Sequence, residues 1–472
     1  MAEKKAFYIT TTLPYVNAEP HIGFALEIIQ ADVLARYWRE KYGKENVFFN
    51  TGSDEHGQKI FEAAQMAGQD TKEYVDHYAE TFEKLKGALD LSYDAFIRTS
   101  SPEHVRAAQE IWNRCKAKGD IYEKEFEGLY CVGCERYLTE RDMVDGKCLI
   151  HQTEPKLLKE KNWFFKFSNY EKALLEYLSN REVIIPDWRR EEAINFVKEG
   201  LEDFSISREK SRLAWGIPVP GDDTQVMYVW FDALTSYIST LGWPSEEGNF
   251  KKFWTEGVTV QVAGKDQVRF QSLMWQAMLF SAGLKNTDQI FYHGFINSGG
   301  HKMSKSLGNV INPYDLVAKY GTDVTRYLLL RHVHSTEDTD VTDTSLDEWY
   351  RANLVNGLGN QVSRIMKLSE TYLEKCDVAP YESHGTIATL LSEFNFQRAM
   401  DHIWSEITAL DVFIQQEKPW ESKDKVVINQ MVTKLSHIAQ SLSIFMPEVS
   451  AKIISTISEN KKPENLFPRL NA

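Results

Sequence analysis

Thr10-Thr11-Thr12-Leu13-Pro14-Tyr15, followed by Pro20-His21-Ile22-Gly23, decides how the rest of this chain is read. Upstream, Ala6-Phe7-Tyr8-Ile9 is a short apolar run of strand type. Downstream, Phe24 to Trp38 carries apolar residues at 24, 26, 28, 29, 33 and 34, the spacing of a helix. Pro20 suits a first helical turn, where its missing N–H is no loss. The stretch therefore reads as strand, tight polar loop and helix N-terminus. Parallel α/β sheets bind ligands beyond the carboxyl ends of their strands. A helix N-terminus adds free N–H groups and partial positive charge, which suit phosphate. His21 can donate to a phosphate oxygen, and Gly23 lets a flat ring lie against the backbone. Taken alone, such a unit is ordinary scaffold.

The pattern recurs. Asn46 to Thr51 is a second strand-like run, ending in Gly52-Ser53-Asp54-Glu55-His56-Gly57. Asp54 is placed to hold an α-ammonium group with support from His56; the other reading is a capped helix start. Residues 60–115 read as amphipathic helices. Val226 to Ala233 reads as a strand, with Trp230, Ala233 and Tyr237 spaced as a strand end running into a helix. Val258 to Gly264 is another β-branched run, followed by Lys265-Asp266 and a helix over Val268 to Ala282. Asp266 can accept from ribose hydroxyls. Gln289 to Ile296 is a further strand, leading through Gly299 and Gly300 into Lys302-Met303-Ser304-Lys305-Ser306 and Gly308. Two lysines and two serines within five residues can surround a triphosphate. Lys302 and Lys305 can offset the charge that builds on a leaving pyrophosphate. No Gly-x4-Gly-Lys-Ser/Thr loop occurs, which removes most support for kinase-like or GTPase-like use of ATP.

Composition narrows the choices. A chain of 472 residues holds roughly three domains of about 150 residues. Hydrophobic content of 43% and charged content of 26% are ordinary for a soluble globular protein. The net charge, 54 − 68 = −14, argues against a protein that coats nucleic acid, while leaving local, shape-read RNA contacts open. No apolar run approaches the roughly 18 residues that cross a bilayer, so no membrane partner is expected. Met1 to Lys5 lacks a secretory core, which sets the expectation of a cytoplasmic protein with few disulfides. Cys131-Val132-Gly133-Cys134 and Cys148-Leu149-Ile150-His151 carry the spacing of a small tetrahedral zinc site with three thiolates and one imidazole. Four such ligands fill the coordination sphere, which makes the metal structural. Cys115 and Cys376 stand apart and read as packing residues.

From about Leu346 the periodicity is helical to the end, with helices over Arg351 to Thr371, Ile387 to Gln416 and Lys425 to Phe445. Asn360 and Arg364 lie four apart on one helical face. Trp420, after Lys418-Pro419, can stack on an unpaired base while those two side chains bond base edges.

His21-Ile22-Gly23 and Lys302 to Ser306 together resemble the paired nucleotide signatures of class I aminoacyl-tRNA synthetases, His-Ile-Gly-His and Lys-Met-Ser-Lys-Ser. The second match is complete; the first departs at Phe24. Within that class the chain resembles the methionyl branch, in its bacterial form with a single zinc knuckle, from about Tyr8 to the C-terminal helices. The most specific pieces are Thr12 to Asn17, Gly52 to Gly57, the Cys131/Cys134/Cys148/His151 set, Tyr228 to Ala233 and Lys302 to Ser306. The resemblance implies an α/β, doubly wound parallel sheet that binds a nucleotide, with an inserted zinc-knuckle connective domain and a following all-α bundle. The implied bounds are 1–115 and 215–345 for the two catalytic halves, 116–214 for the insertion and 346–472 for an anticodon-binding domain.

It further implies a ligase that activates L-methionine with ATP and Mg2+ and charges tRNA(Met), including the initiator. Thr12, Leu13, Tyr15, Trp230, Ala233, Tyr237, Phe270, Gln271 and Trp275 would surround methionine, with Asp54 on its amino group. His21, Gly23, Gly264, Asp266, Lys302, Ser304 and Lys305 would serve ATP, with His21, Lys302 and Lys305 catalytic. Asn360, Arg364 and Trp420 would read a CAU anticodon. The family's extra C-terminal dimerising domain is missing, which implies a monomer. Gln267, Gln271 and Gln276 stand where Ile, His and Pro are usual, and Gln271 is expected to offer a donor near the methionine sulfur. A synthetase for leucine, isoleucine or valine needs a larger editing insertion than 116–214. A non-catalytic tRNA-binding paralogue has Phe24 in its favour and the intact Lys302 to Ser306 loop against it.

Overall fold

The apolar run around Tyr8 becomes an inner strand of a parallel sheet. The computed structural model describes residues 6–303, 309–381 and 385–470. Phe7–Thr11 (β1), Val47–Ser53 (β2), Ala95–Arg98 (β3), Ile184–Ile185 (β4), Val258–Gly264 (β5) and Gln289–His293 (β6) form one six-stranded sheet. Its order is β3-β2-β1-β5-β6-β4, and every neighbouring pair is parallel. All five residues of β1 are buried, as expected of a strand covered on both faces. The strand order reverses between β1 and β5, and the loops leaving their carboxyl ends flank that switch point, where open α/β sheets bind ligands.

The chain divides into two compact units. The first comprises Met1–Pro20, Trp38–Lys86 and Ser92–His293; the second comprises His21–Tyr37, Gly87–Leu91 and Gly294–Ala472. In the first, the sheet shares a core with Trp112, Trp254 and Trp275, all fully buried. A long antiparallel ribbon, Ile121–Cys131 against Lys156–Phe165, projects the metal-type cysteines at its tip.

Several elements differ from the sequence reading. Residues 60–115, expected to be helical, contain the edge strand Ala95–Arg98 ahead of helix Pro102–Ala117. The strand expected through Ala233 ends at Met227, within a small antiparallel sheet with Ser207–Glu209 and Pro218–Val219. The carbonyl of Tyr228 accepts the N–H groups of Phe231 (2.9 Å) and Asp232 (3.1 Å), so Val229–Ala233 is a helical turn. Trp230 and Ala233 therefore project from a turn. The expected strand Gln289 to Ile296 breaks at Gly294, where a Cβ would stand 2.2 Å from the Glu337 backbone, and Ile296–Ser298 joins a separate small sheet. The expected helix Ile387 to Gln416 is two helices, Gly385–Ser392 and Phe396–Glu417, because Phe394 is left-handed (φ 57°) and Asn395 caps the second.

The second unit holds the helix that starts at the signature turn, Ile22–Tyr42 (α1), through Tyr37. Asp32 on α1 is fully buried and pairs at 2.8 Å with Arg326 on helix Thr322–His332. Arg326 also donates to the carbonyls of Leu89 (3.1 Å), Ile444 (3.1 Å) and Phe445 (2.8 Å). One guanidinium thus fastens α1 to the C-terminal helices. Asp323, one turn earlier, accepts the Val449 N–H at 2.6 Å, and burial lifts its carboxyl to about 6. A carboxyl raised in the folded state stabilises when protonated and loses that contribution as pH rises through about 6. Asp323→Asn keeps an acceptor for Val449. It is expected to be more stable than the parent by about 1–3 kcal/mol at pH 7.5, with the gap narrowing towards pH 4. Urea unfolding at the two pH values measures this.

Candidate active site and metal centre

The loop after β2 is fixed by its glutamate. The Glu55 carboxylate accepts from Ser53 Oγ (2.6 Å), Arg98 Nε (2.5 Å) and Nη2 (3.0 Å), and the Ser100 hydroxyl. Its backbone N–H donates to Thr99 Oγ1 at 2.9 Å, and its carbonyl accepts from Trp215 Nε1 at 2.5 Å. Asp54 is then set against the loop after β1: its N–H donates to Pro14 O (2.9 Å), and its carbonyl accepts from Val16 N (3.2 Å). Asp54 is 2% exposed, and its Oδ1 is a buried acceptor with no hydrogen-bond partner among the described residues. The Tyr15 hydroxyl and the Trp230 indole N–H are buried in the same condition. Tyr15 meets Trp230 edge-on (6.0 Å, 85°), and Trp230 stacks on Phe270 (3.8 Å, 10°). A carboxylate short of a partner thus stands beside a wall of three aromatic rings. Leu13 and Ala233 are buried as well.

Gln271 links the loop after β1 to the next element. Its Nε2 donates to Thr12 Oγ1 (3.2 Å) and Tyr237 OH (2.5 Å), while Tyr237 packs edge-on against Trp275 (5.8 Å). The atom left over is Oε1, buried and without a partner among the described residues. This corrects the expectation that Gln271 offers a donor, because both amide hydrogens are engaged. Gln276 supports the arrangement, donating to Gln271 O at 2.8 Å. For the amino-acid pocket that the resemblance implies, Gln271→Ala is expected to raise KM for methionine about tenfold and leave KM for ATP unchanged, since it removes the amide that donates to both the Thr12 and Tyr237 hydroxyls. Pyrophosphate-exchange kinetics measure both constants.

Beneath the loop lies a carboxylate that nothing in the sequence marks beyond its place in Trp230-Phe231-Asp232. Asp232 is fully buried, with His56 Nδ1 at 3.2 Å and His104 Nε2 at 3.6 Å; His104 Nδ1 lies 3.0 Å from Ser239 Oγ. Burial alone would raise its pKa, but the two imidazoles hold it below the ordinary range. Asp54 goes the other way: burial, then the charges of Asp232 and Glu135, push it well up, against the pull of the His56 N–H. A cation placed at Asp54 relieves that strain, which is what an α-ammonium group supplies.

His21 is exposed and its Nδ1 accepts the Gly23 N–H at 3.1 Å, so neutral His21 carries its proton on Nε2. The Ile22 N–H donates to Ile311 O at 3.0 Å, which sets the chain just after the Lys302 to Ser306 loop against the His21–Gly23 turn. Ser304 and Lys305 lie outside the described residues, as does the Lys302 side chain. Phe24 is buried, its N–H bonded to His21 O at 3.0 Å. Gly264 ends β5, and exposed Asp266 follows on the turn Lys265–Gln267. Asn360 is exposed at the start of helix Asn360–Tyr372, with Arg364 half-buried one turn on. Trp420 is exposed on the turn Pro419–Ser422, between left-handed Lys418 and Lys423.

The four metal-type residues converge. Cys131 Sγ, Cys134 Sγ, Cys148 Sγ and a His151 ring nitrogen all lie within 4.8 Å of one another. Cys134 Sγ is 3.5 Å from Cys148 Sγ and 3.2 Å from His151 Nδ1; Cys131 and Cys148 are each 3.8 Å from that nitrogen. Ligands at about 2.3 Å in a tetrahedron stand about 3.8 Å apart, so the donor set fits zinc, while 3.5 Å is far beyond a disulfide bond. Gly133 is what lets the ring in, since a Cβ there would stand 2.5 Å from His151 Cδ2. The hairpin Met143–Val144 against Lys147–Cys148 turns through left-handed Asp145 and Gly146, the turn an Asp-Gly pair favours.

Comparison with known proteins agrees with this geometry. The family model "tRNA synthetases class I (M)" matches residues 7–148 and 140–366. A methionine–tRNA ligase of Fusobacterium nucleatum is 37% identical, over 98% of this chain and 76% of its own length. That of Thermosynechococcus vestitus is 43% identical, over 78% of this chain and 70% of its own. The solved Mycobacterium tuberculosis methionyl-tRNA synthetase in complex with methionyl-adenylate superposes with a TM-score of 0.89 at 32% identity, covering 98% of this chain and all of that one. The family model makes this chain a class I tRNA synthetase, in keeping with its parallel sheet. More narrowly, the chain belongs to the methionyl-tRNA synthetase family.

Proposed function

We infer that this chain activates L-methionine with ATP and transfers the methionyl group to tRNA(Met), initiator tRNA included. The observation that carries the inference is the buried, underpartnered Asp54 carboxylate beside the Tyr15–Trp230–Phe270 wall. Asp54 takes the α-ammonium group, and the aromatic rings with Leu13 and Ala233 receive the thioether, a soft, weakly accepting side chain selected by shape. Asp266 holds the ribose. His21 Nε2 and the Lys302–Lys305 loop meet the phosphates, with Gly23 under the base and Mg2+ entering with ATP. The α-carboxylate of methionine then attacks the α-phosphorus and pyrophosphate leaves. The terminal ribose hydroxyl of tRNA next attacks the carbonyl of the adenylate and AMP leaves. The protein does little covalent work; it aligns reactants and stabilises charge.

Cys131, Cys134, Cys148 and His151 hold a structural zinc ion, which cross-links the knuckle. Residues 116–214 then form a connective insertion, and 346–472 the anticodon-binding region. Asn360, Arg364 and Trp420 read the CAU anticodon. In a charging assay, a methionine tRNA with anticodon CAU is expected to be aminoacylated and the same tRNA with an altered anticodon is not. Trp420→Ala is expected to lower charging about 10- to 100-fold by loss of base stacking while sparing pyrophosphate exchange. Equal charging of both tRNAs would remove the anticodon assignment.

A further inference from the structure

Glu135 follows Cys134 directly, yet its carboxylate serves another element. It is 2% exposed, in a left-handed conformation (φ 54°), and accepts the N–H of Gln58 at 3.0 Å and of Lys59 at 2.6 Å. Those are the first two residues of helix Gln58–Met66 (α2), whose opening N–H groups have no partner inside the helix. A cap ordinarily comes from the residue preceding the helix. Here that residue is Gly57, which has no side chain, adopts φ 109°, where an L side chain is strained, and has Glu135 Oε2 2.5 Å from where a Cβ would stand. The cap is delivered instead from the metal knuckle, across 77 residues of sequence. It is itself braced: Arg208 Nη2 donates to the Glu135 carbonyl at 3.2 Å and lies over the Tyr228 ring at 4.4 Å, while Arg212 Nη1 donates to Gln58 Oε1 at 2.5 Å. On the other side, Gly57 ends the loop that carries Asp54 and His56.

We propose that Glu135 is a positioning residue for methionine: by capping α2 from the knuckle it fixes the Asp54 loop, so the state of the knuckle sets affinity for the amino acid and leaves ATP affinity alone. The proposal rests on the reading of Asp54 as the amino-group anchor. The test uses the full chain and its Glu135→Ala and Glu135→Gln variants, with KM for methionine and for ATP from pyrophosphate exchange, zinc content by elemental analysis and Tm. Glu135→Ala is expected to raise KM for methionine about tenfold, with KM for ATP and kcat within about twofold and zinc content unchanged. Glu135→Gln, which keeps one acceptor oxygen, recovers most of that loss. Stripping zinc from the parent with a chelator raises KM for methionine, and adds less than about twofold in Glu135→Ala. An unchanged KM for methionine in Glu135→Ala overturns the proposal. So does a parallel rise of both KM values with a lowered Tm, or an equal effect of the chelator on parent and variant. An unaltered methionine KM in Asp54→Ala is the separate failure of the anchor reading.

Discussion

Asp54→Ala is expected to lower kcat/KM for methionine in pyrophosphate exchange by about 10²- to 10³-fold. Removing one partner of a buried charge pair costs about 3–5 kcal/mol, because the other charge stays buried and uncompensated. On the proposed reading the stranded group is the substrate's ammonium, set beside the Tyr15–Trp230–Phe270 wall. KM for ATP is expected to move little. Asp54→Asn separates charge from shape: it keeps the oxygen that could accept a hydrogen bond and loses the charge. The pH profile adds a second readout. Burial and the neighbouring Asp232 and Glu135 hold the Asp54 carboxyl well above the ordinary range, and only its ionised form pairs with an ammonium. KM for methionine is therefore expected to fall as pH rises above the usual carboxylate range, and the Asn variant is expected to lose that dependence. A kcat/KM for Asp54→Ala within threefold of the parent would contradict the assignment.

Arg326→Ala is expected to destabilise the chain by about 3–5 kcal/mol, the largest effect on stability from any single side chain argued above. The guanidinium sits fully buried against Asp32 and three backbone carbonyls from two other segments. Its removal leaves buried Asp32 with the partly exposed Arg36 (2.7 Å) as its cation partner, and takes the guanidinium donor from three backbone carbonyls. Arg326→Lys recovers only part, because one ammonium cannot reproduce a planar fork of donors. Because Asp32 lies on α1, the helix that starts at the His21–Gly23 turn, activity is expected to become heat-labile in step with Tm. Urea unfolding measures the loss; a change under 1 kcal/mol would show that Asp32 is compensated by other groups.

What the sequence makes legible follows from local physics. The strands Phe7–Thr11, Val47–Ser53 and Val258–Gly264 are built on apolar runs; the third ends where the pattern sets it, while the first two run two residues further, through Thr10–Thr11 and Gly52–Ser53, into stretches read as loop. The knuckle is legible from ligand spacing, since thiolates at x2 intervals restrict geometry strongly. The edge strands Ala95–Arg98 and Ile184–Ile185 are too short to carry a period. Tyr228 to Ala233 has strand-type residues but turns helical, because the Tyr228 carbonyl captures two following N–H groups. Asp232, His104 and Glu135 escape sequence reasoning for a different reason. Each acquires its role from partners far away in the chain, and no local pattern foretells that His56 and His104 will enclose Asp232 or that Glu135 will cap α2. Gln271 is visible as an unusual residue, but only the fold reveals that Thr12 and Tyr237 take its amide hydrogens.

Exchange of labelled pyrophosphate into ATP, run separately with each of the twenty amino acids, tests the central claim most directly. Strong exchange with methionine and at least about 100-fold less with leucine, isoleucine or valine is the predicted result, as expected of a pocket that pairs a buried carboxylate with a shaped aromatic wall. Exchange with none of the twenty, or a preference for a branched aliphatic amino acid, would contradict it.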